Sequence, residues 1–205
     1  SVDDLSGKAE NKRKLQERLA LEQNPDVPII AMVTRLVSHK GLDLVKAVLE
    51  ELIITTDVQV VVLGSGEWQY EEFFKDIARR HPDQVAINLG FNPPLSKKVY
   101  AGTDMFLMPS QSEPCGLSQM IALRYGSVPI VRETGGLRDS IQDSGDGEGN
   151  GFVFSNYNAH DMLHTIHRAI DGYQNKKGWK ILVKRGMECD YSWGKSANEY
   201  IKLYK

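Results

Sequence analysis

The sequence is poor in cysteine: Cys115 and Cys189 are its only two, and they lie far apart. That spacing gives neither a disulfide framework nor a set of metal ligands, and it favours a reducing compartment. No apolar run approaches membrane-spanning length, which leaves no membrane partner to expect. The opening SVDDLSGKAENKRKLQ lacks the basic, apolar and small-residue order of a signal peptide. It has the character of an interior boundary, so it says little about a parent chain, and with so little cysteine a cytoplasmic setting is the expectation. Net charge is also nearly absent, at -2 over 205 residues. No nucleic acid partner is implied, and any cationic function has to come from a local pocket.

What is present is the patterning of a soluble α/β domain. After a charged leading segment from Gly7 to Gln23, closed by Asn24-Pro25, apolar runs rich in β-branched residues alternate with helical patterns. The runs are VPIIAMVTRL, VQVVVLG, VAINLG, DMFLMPS, SVPIVR and GFVF; helices are expected from Leu42, from Glu67, near Ser96 and from Gly116. Three more helical patterns follow Asn158. Because the strands are apolar on consecutive residues, helices should cover both faces of a parallel sheet. The fold class predicted is α/β: one open, Rossmann-like, doubly wound parallel sheet.

In such sheets ligands bind beyond the carboxyl ends of the strands. The residues placed there are Arg35 and Lys40 after the first strand, Gly64-Ser65-Gly66 after the second, and Gly90-Phe91 after the third. Glu113-Pro114-Cys115-Gly116 follows the fourth, and Glu133-Thr134-Gly135-Gly136 the fifth. Arg35 and Lys40 could neutralise a diphosphate, Arg by a forked contact and Lys as a point charge. Taken as a pair alone, they are better explained as solvated loop charges. Gly64-Ser65-Gly66 lacks the third glycine and the downstream acid of a dinucleotide fingerprint, so a structural turn is the better reading. Thr134-Gly135-Gly136 could bring backbone amides close to an anion at a helix start, or could simply turn the chain. Glu113 could favour a helix dipole or accept hydrogen bonds from sugar hydroxyls.

His160, His164 and His167 share one face of a predicted helix, but no acid or cysteine completes a metal set, and a solvated face is expected. DSGDGEGNG at 143–151 lacks the spacing of a calcium loop and is expected to be a mobile surface loop. Cys115 has no positioned histidine base, so a nucleophilic role is not expected.

Together VTRLVSHKGLDLV, VVLGSGEWQYEEFF, SEPCGLSQMIALRYGSVPIVRETGGLRDSI, GNGFVFSNY and YSWGKSANEYIKLY resemble the bacterial glycogen synthases and plant starch synthases that use ADP-glucose. The likeness runs from Leu5 onward and corresponds to the C-terminal half of such an enzyme. It implies one of the two Rossmann-like domains of a GT-B glycosyltransferase. Its divisions would be a leading helix or linker at 1–24, a donor-binding domain at 25–189, and at 190–205 a helix crossing back to an N-terminal domain. The implied reaction moves glucose from ADP-glucose to the non-reducing end of an α-1,4-glucan with retention, with the acceptor held by that other domain and no metal or cofactor required. The isolated chain would bind ADP or ADP-glucose weakly and transfer no glucose. The resemblance assigns catalytic roles to Arg35 and Lys40, on the diphosphate, and to Glu113, on the glucosyl hydroxyls. Cys115, Gly116 and Leu117 would contact the sugar through their backbone, Thr134, Gly135 and Gly136 would flank the phosphates, and Phe91 would stack on adenine. A second glutamate that binds ribose in many related transferases is replaced by Ile121, and Arg132-Glu133 replaces small residues.

Overall fold

A computed structural model describes residues 1–204. Six parallel strands form one sheet in the order β3-β2-β1-β4-β5-β6. They are β1 (Ile29–Val33), β2 (Gln59–Gly64), β3 (Val85–Leu89), β4 (Met105–Met108), β5 (Val128–Arg132) and β6 (Phe152–Phe154). Ile30 pairs with Val60 on one side and Met105 on the other, so β1 and β4 are neighbours although two strand–helix units separate them in sequence.

Alternation along each strand divides the core in two. Ile30, Met32, Val60, Val62, Met105 and Leu107 face one layer. That layer is built by α2 (Leu42–Thr55), α3 (Trp68–Arg80), α7 (Ala159–Gln174) and α8 (Lys176–Glu188). Ile29, Ala31, Val61, Leu63 and Phe106 face the other, against α1 (Ser6–Arg18) and α4 (Pro93–Gly102). Both faces are covered, which is why the strands read as unbroken apolar runs.

The leading helix is shorter than its charge pattern predicts. It stops at Arg18 because Ala20 adopts a left-handed conformation, φ 55°, which turns Leu21 into the core at 4% exposure. On its inner face Lys12 forms a buried ion pair with Asp104 at 2.9 Å, and its ammonium also donates to Pro25 O and Tyr173 Oη. One turn earlier, Lys8 Nζ donates to the carbonyls of Tyr100, Ala101 and Thr103, capping the end of α4. Burial holds this ammonium's pKa down to about 8, with the Asp104 carboxylate acting in the opposite sense.

The loop at 143–151 is tied down rather than mobile. Arg168 Nη2 donates to Asp143 Oδ1 at 2.6 Å, and the N–H groups of Gly145 and Val153 also donate to the Asp143 carboxylate. Burial opposes the charge there, but these bonds outweigh it and lower the Asp143 pKa. His160 and His164 are exposed, and no metal-sized group of histidines, cysteines and acids occurs among the described residues. Both cysteines are free. The last helix, α9 (Trp193–Leu203), buries none of its described side chains and leaves Trp193 89% exposed. No helix among the described residues is long and apolar enough to cross a membrane.

Candidate functional site

The chain steps outward from β1 to β3, then returns to lay β4, β5 and β6 on the other side. The strand order therefore reverses between β1 and β4, and a crevice opens where their following loops diverge. The loop after β1 ends in a short 3-10 turn, Ser38–Lys40, and then Gly41 at φ 74°. A Cβ on Gly41 would overlap the carbonyl oxygen of Pro109, so only glycine lets this loop touch the one after β4. The N–H of Gln111 donates to His39 O at 2.9 Å and joins the same two loops.

This contact brings Lys40 and Glu113 together across 73 residues of sequence, with Lys40 Nζ donating to Glu113 Oε2 at 2.5 Å. Both side chains are mostly enclosed, at 17% and 11% exposure, yet both line an open crevice of about 70 Å³. Ser110 Oγ donates to the same carboxylate oxygen at 3.1 Å, while Oε1 accepts no hydrogen bond among the described residues. Thr34, Gly116, Leu117 and Ser118 also line the crevice. It thus presents a cation, a carboxylate oxygen with spare acceptor capacity, and small polar groups, a set suited to a hydroxylated, anionic ligand. Larger grooves of about 840 and 950 Å³ flank α1, but none of the sequence-predicted site residues lines them.

The remaining predicted residues surround this centre. Arg35 is exposed after β1, and its side chain makes no ion pair or hydrogen bond among the described residues; only its carbonyl accepts, from Val37 N–H. Phe91 stands 95% exposed beyond β3, and Leu117 is 66% exposed. Gly116, at φ 73°, belongs to the loop: α5 begins only at Ser118 and is seven residues long. The helix after Thr134, α6 (Gly135–Ser140), has six. Both are too short for a full macrodipole, so less anion attraction is available from helix starts than the sequence pattern suggests.

The glycines of the β5 loop have a different use. Gly136 N–H donates to Glu113 O at 3.0 Å, and a Cβ on Gly135 or Gly136 would overlap the carbonyl of Glu113 or Cys115. They let two loops lie backbone against backbone. Sequence reasoning missed the polar residues that hold this arrangement. Gln119, fully buried, donates from Nε2 to the carbonyls of Cys115 and Gly116 and to Ser140 Oγ. Its signal was a polar residue on the Gln119, Ala122, Leu123 stripe, the buried side of α5. Arg132 stood out only as a replacement for small residues, and Ser110 gave no signal.

A family model described as Glycosyl transferases group 1 matches residues 13–181. The chain belongs to that family. It is 57% identical over 206 residues to a glycogen synthase of Bacillus cereus, a match covering 100% of this chain and 43% of the relative. A glycogen synthase of Desulforamulus reducens is 56% identical over 197 residues, covering 95% and 41%. The chain thus spans less than half the length of these curated relatives and matches their C-terminal part. Among solved structures, the catalytic domain of Starch Synthase IV from Arabidopsis thaliana, bound to ADP and acarbose, superposes with TM-score 0.91 at 37% identity. That match covers 100% of this chain and 43% of that one. Sucrose-phosphate synthase from Thermosynechococcus elongatus, at 18% identity and TM-score 0.69, shares the fold; the match covers 96% of this chain and 50% of that one. The architecture of this group 1 glycosyltransferase chain is the Rossmann-like C-terminal domain of a GT-B enzyme.

Proposed function

We propose that this chain is the sugar-nucleotide-binding half of an ADP-glucose-dependent glycogen or starch synthase. The observation that carries the reading is the meeting of Lys40 and Glu113 at the strand-order reversal, 2.5 Å apart. A sugar diphosphate needs a cation and a hydroxyl acceptor at adjacent positions, and this pair supplies both. The structural likeness to an ADP-bound starch synthase supports adenosine diphosphate as the nucleotide.

On this reading Lys40 turns from Glu113 to the diphosphate and is joined there by Arg35. Charge-assisted hydrogen bonds of this kind contribute about 1.5–3 kcal/mol each. Negative charge grows on the departing ADP as the bond to the sugar breaks, so both cations act more strongly in the transition state than in the ground state. Glu113 Oε1 accepts from a glucosyl hydroxyl and orients the sugar, with backbone groups of Cys115, Gly116 and Leu117 beside it. Thr134, Gly135 and Gly136 flank the phosphates, and Phe91 stacks on the adenine. The acceptor glucan is held by the partner domain of the full-length enzyme, and glucose is transferred to its non-reducing end with retention. The chain alone therefore binds donor and transfers nothing.

Calorimetric titration with ADP, ADP-glucose, UDP and NAD tests this reading. ADP and ADP-glucose should bind in preference to UDP and NAD. A preference for NAD would point to an oxidoreductase instead, and glucan elongation by this chain alone would overturn the division of labour.

A further inference from the structure

Glu113 is held by more than its own loop. Arg132, the last residue of β5, donates from Nε to Ser110 O at 2.9 Å and from Nη2 to Gln111 O at 2.6 Å. Both carbonyls belong to the loop that carries Glu113. The Ser110 side chain, 2% exposed, turns its hydroxyl onto Glu113 Oε2. The planar guanidinium places one donor on each of two successive carbonyls, from two nitrogens held in a fixed fork.

The guanidinium is itself held from its other side. It lies 5.7 Å from the ring centroid of Tyr157, whose hydroxyl donates to Asp43 Oδ1 in the first turn of α2. Asp43 follows Lys40 by three residues, so the same brace reaches both loops that form the crevice. Burial, then the Asp43 carboxylate, pushes the Tyr157 phenol well above its ordinary pKa, so the hydroxyl keeps its proton throughout the physiological range.

We propose that Arg132, acting through Ser110, is the positioning residue that fixes the Glu113 carboxylate for the sugar of the bound donor. This inference rests on the donor-binding reading above. Glu113 Oε2 has two donors, Lys40 and Ser110. When Lys40 moves to the diphosphate, only the Ser110 hydroxyl remains, and its place is set by the Arg132 fork on the Ser110 and Gln111 carbonyls. Arg132 is thus spent on backbone rather than on phosphate, and its loss should be felt by the sugar and not by the nucleotide.

The test compares ADP and ADP-glucose titrations for the unaltered chain, Arg132→Lys and Ser110→Ala, with thermal unfolding of each. Both variants should lower ADP-glucose affinity, by about fivefold for the loss of one oriented hydrogen bond. ADP affinity should stay within about twofold. A structural defect would lower both affinities together and would not change their ratio. An unchanged ratio in a folded Ser110→Ala overturns the positioning role while leaving donor binding intact. A fall in ADP affinity for Arg132→Lys equal to that for ADP-glucose places Arg132 on the phosphates and overturns it too. If the unaltered chain binds neither ligand, the donor-binding reading fails first and this inference fails with it.

Discussion

Gly136 donates its backbone N–H to the carbonyl oxygen of Glu113 at 3.0 Å, and a Cβ at this glycine would overlap the carbonyl of Cys115. Gly136→Ala must therefore separate the loops after β4 and β5. Forced overpacking costs about 1–3 kcal/mol. A lower urea midpoint, together with weakened ADP-glucose binding, is the expected result; a neutral substitution would show that the loops part easily.

Lys40→Ala removes one of two proposed diphosphate contacts and leaves Glu113 without a cation. ADP affinity should drop at least tenfold in titration, by the strength of a charge-assisted bond. Retention of full ADP affinity would remove Lys40 from the phosphate role.

Phe91 is 95% exposed and gives the fold almost no burial. Phe91→Ala should leave the melting temperature within about 1 °C, since surface changes usually fall within about 0.5 kcal/mol. ADP binding should nevertheless weaken, by about fivefold if the ring stacks on adenine. Equal affinities for the two proteins would exclude stacking.

The pKa of Lys8 lies at about 8 in the fold against 10.5 as the ordinary value. Below pH 8 the ammonium is charged in both folded and unfolded chains, and its burial cost is present in full. Between pH 8 and 10.5 the folded protein releases the proton first, so this residue's contribution becomes more favourable as pH rises. Relative to Lys8→Met, the unaltered chain should gain on the order of 2 kcal/mol between pH 7.5 and 10. Parallel denaturation curves for the two proteins across that range would contradict the burial of this charge.

Lys12→Met leaves Asp104 buried without its cation, although Ile29 N–H still donates to it. Breaking a buried pair from one side costs about 3–5 kcal/mol. Lys12→Met should be among the most destabilising single changes in α1, measurable as a fall in urea midpoint; a small effect would mean that water reaches Asp104.

Much of the fold was legible because a parallel sheet covered on both faces writes itself as consecutive apolar residues, as in VQVVVLG and DMFLMPS. The placement of the site was legible for a related reason: strand ends are easy to find, and Arg35, Lys40, Phe91, Glu113 and Thr134 all follow one. Pairings between those ends were not legible. The Tyr157 hydroxyl meets Asp43 across 114 residues, and the Arg132 fork meets Ser110 across 22; no local periodicity encodes either. The early stop of α1 was hidden for another reason, since Ala20 is a good helix former placed in a conformation it rarely adopts.

The loops after β1, β4 and β5 are fused by main-chain contacts: Gly41 against Pro109, Gln111 on His39, and Gly136 on Glu113. The rim of the crevice is therefore mechanically one piece, like a jaw without a joint of its own. Shape change within it is left to side chains such as Arg35. Any larger closing stroke over a ligand has to come from whatever body meets this rim, moving as a whole against it.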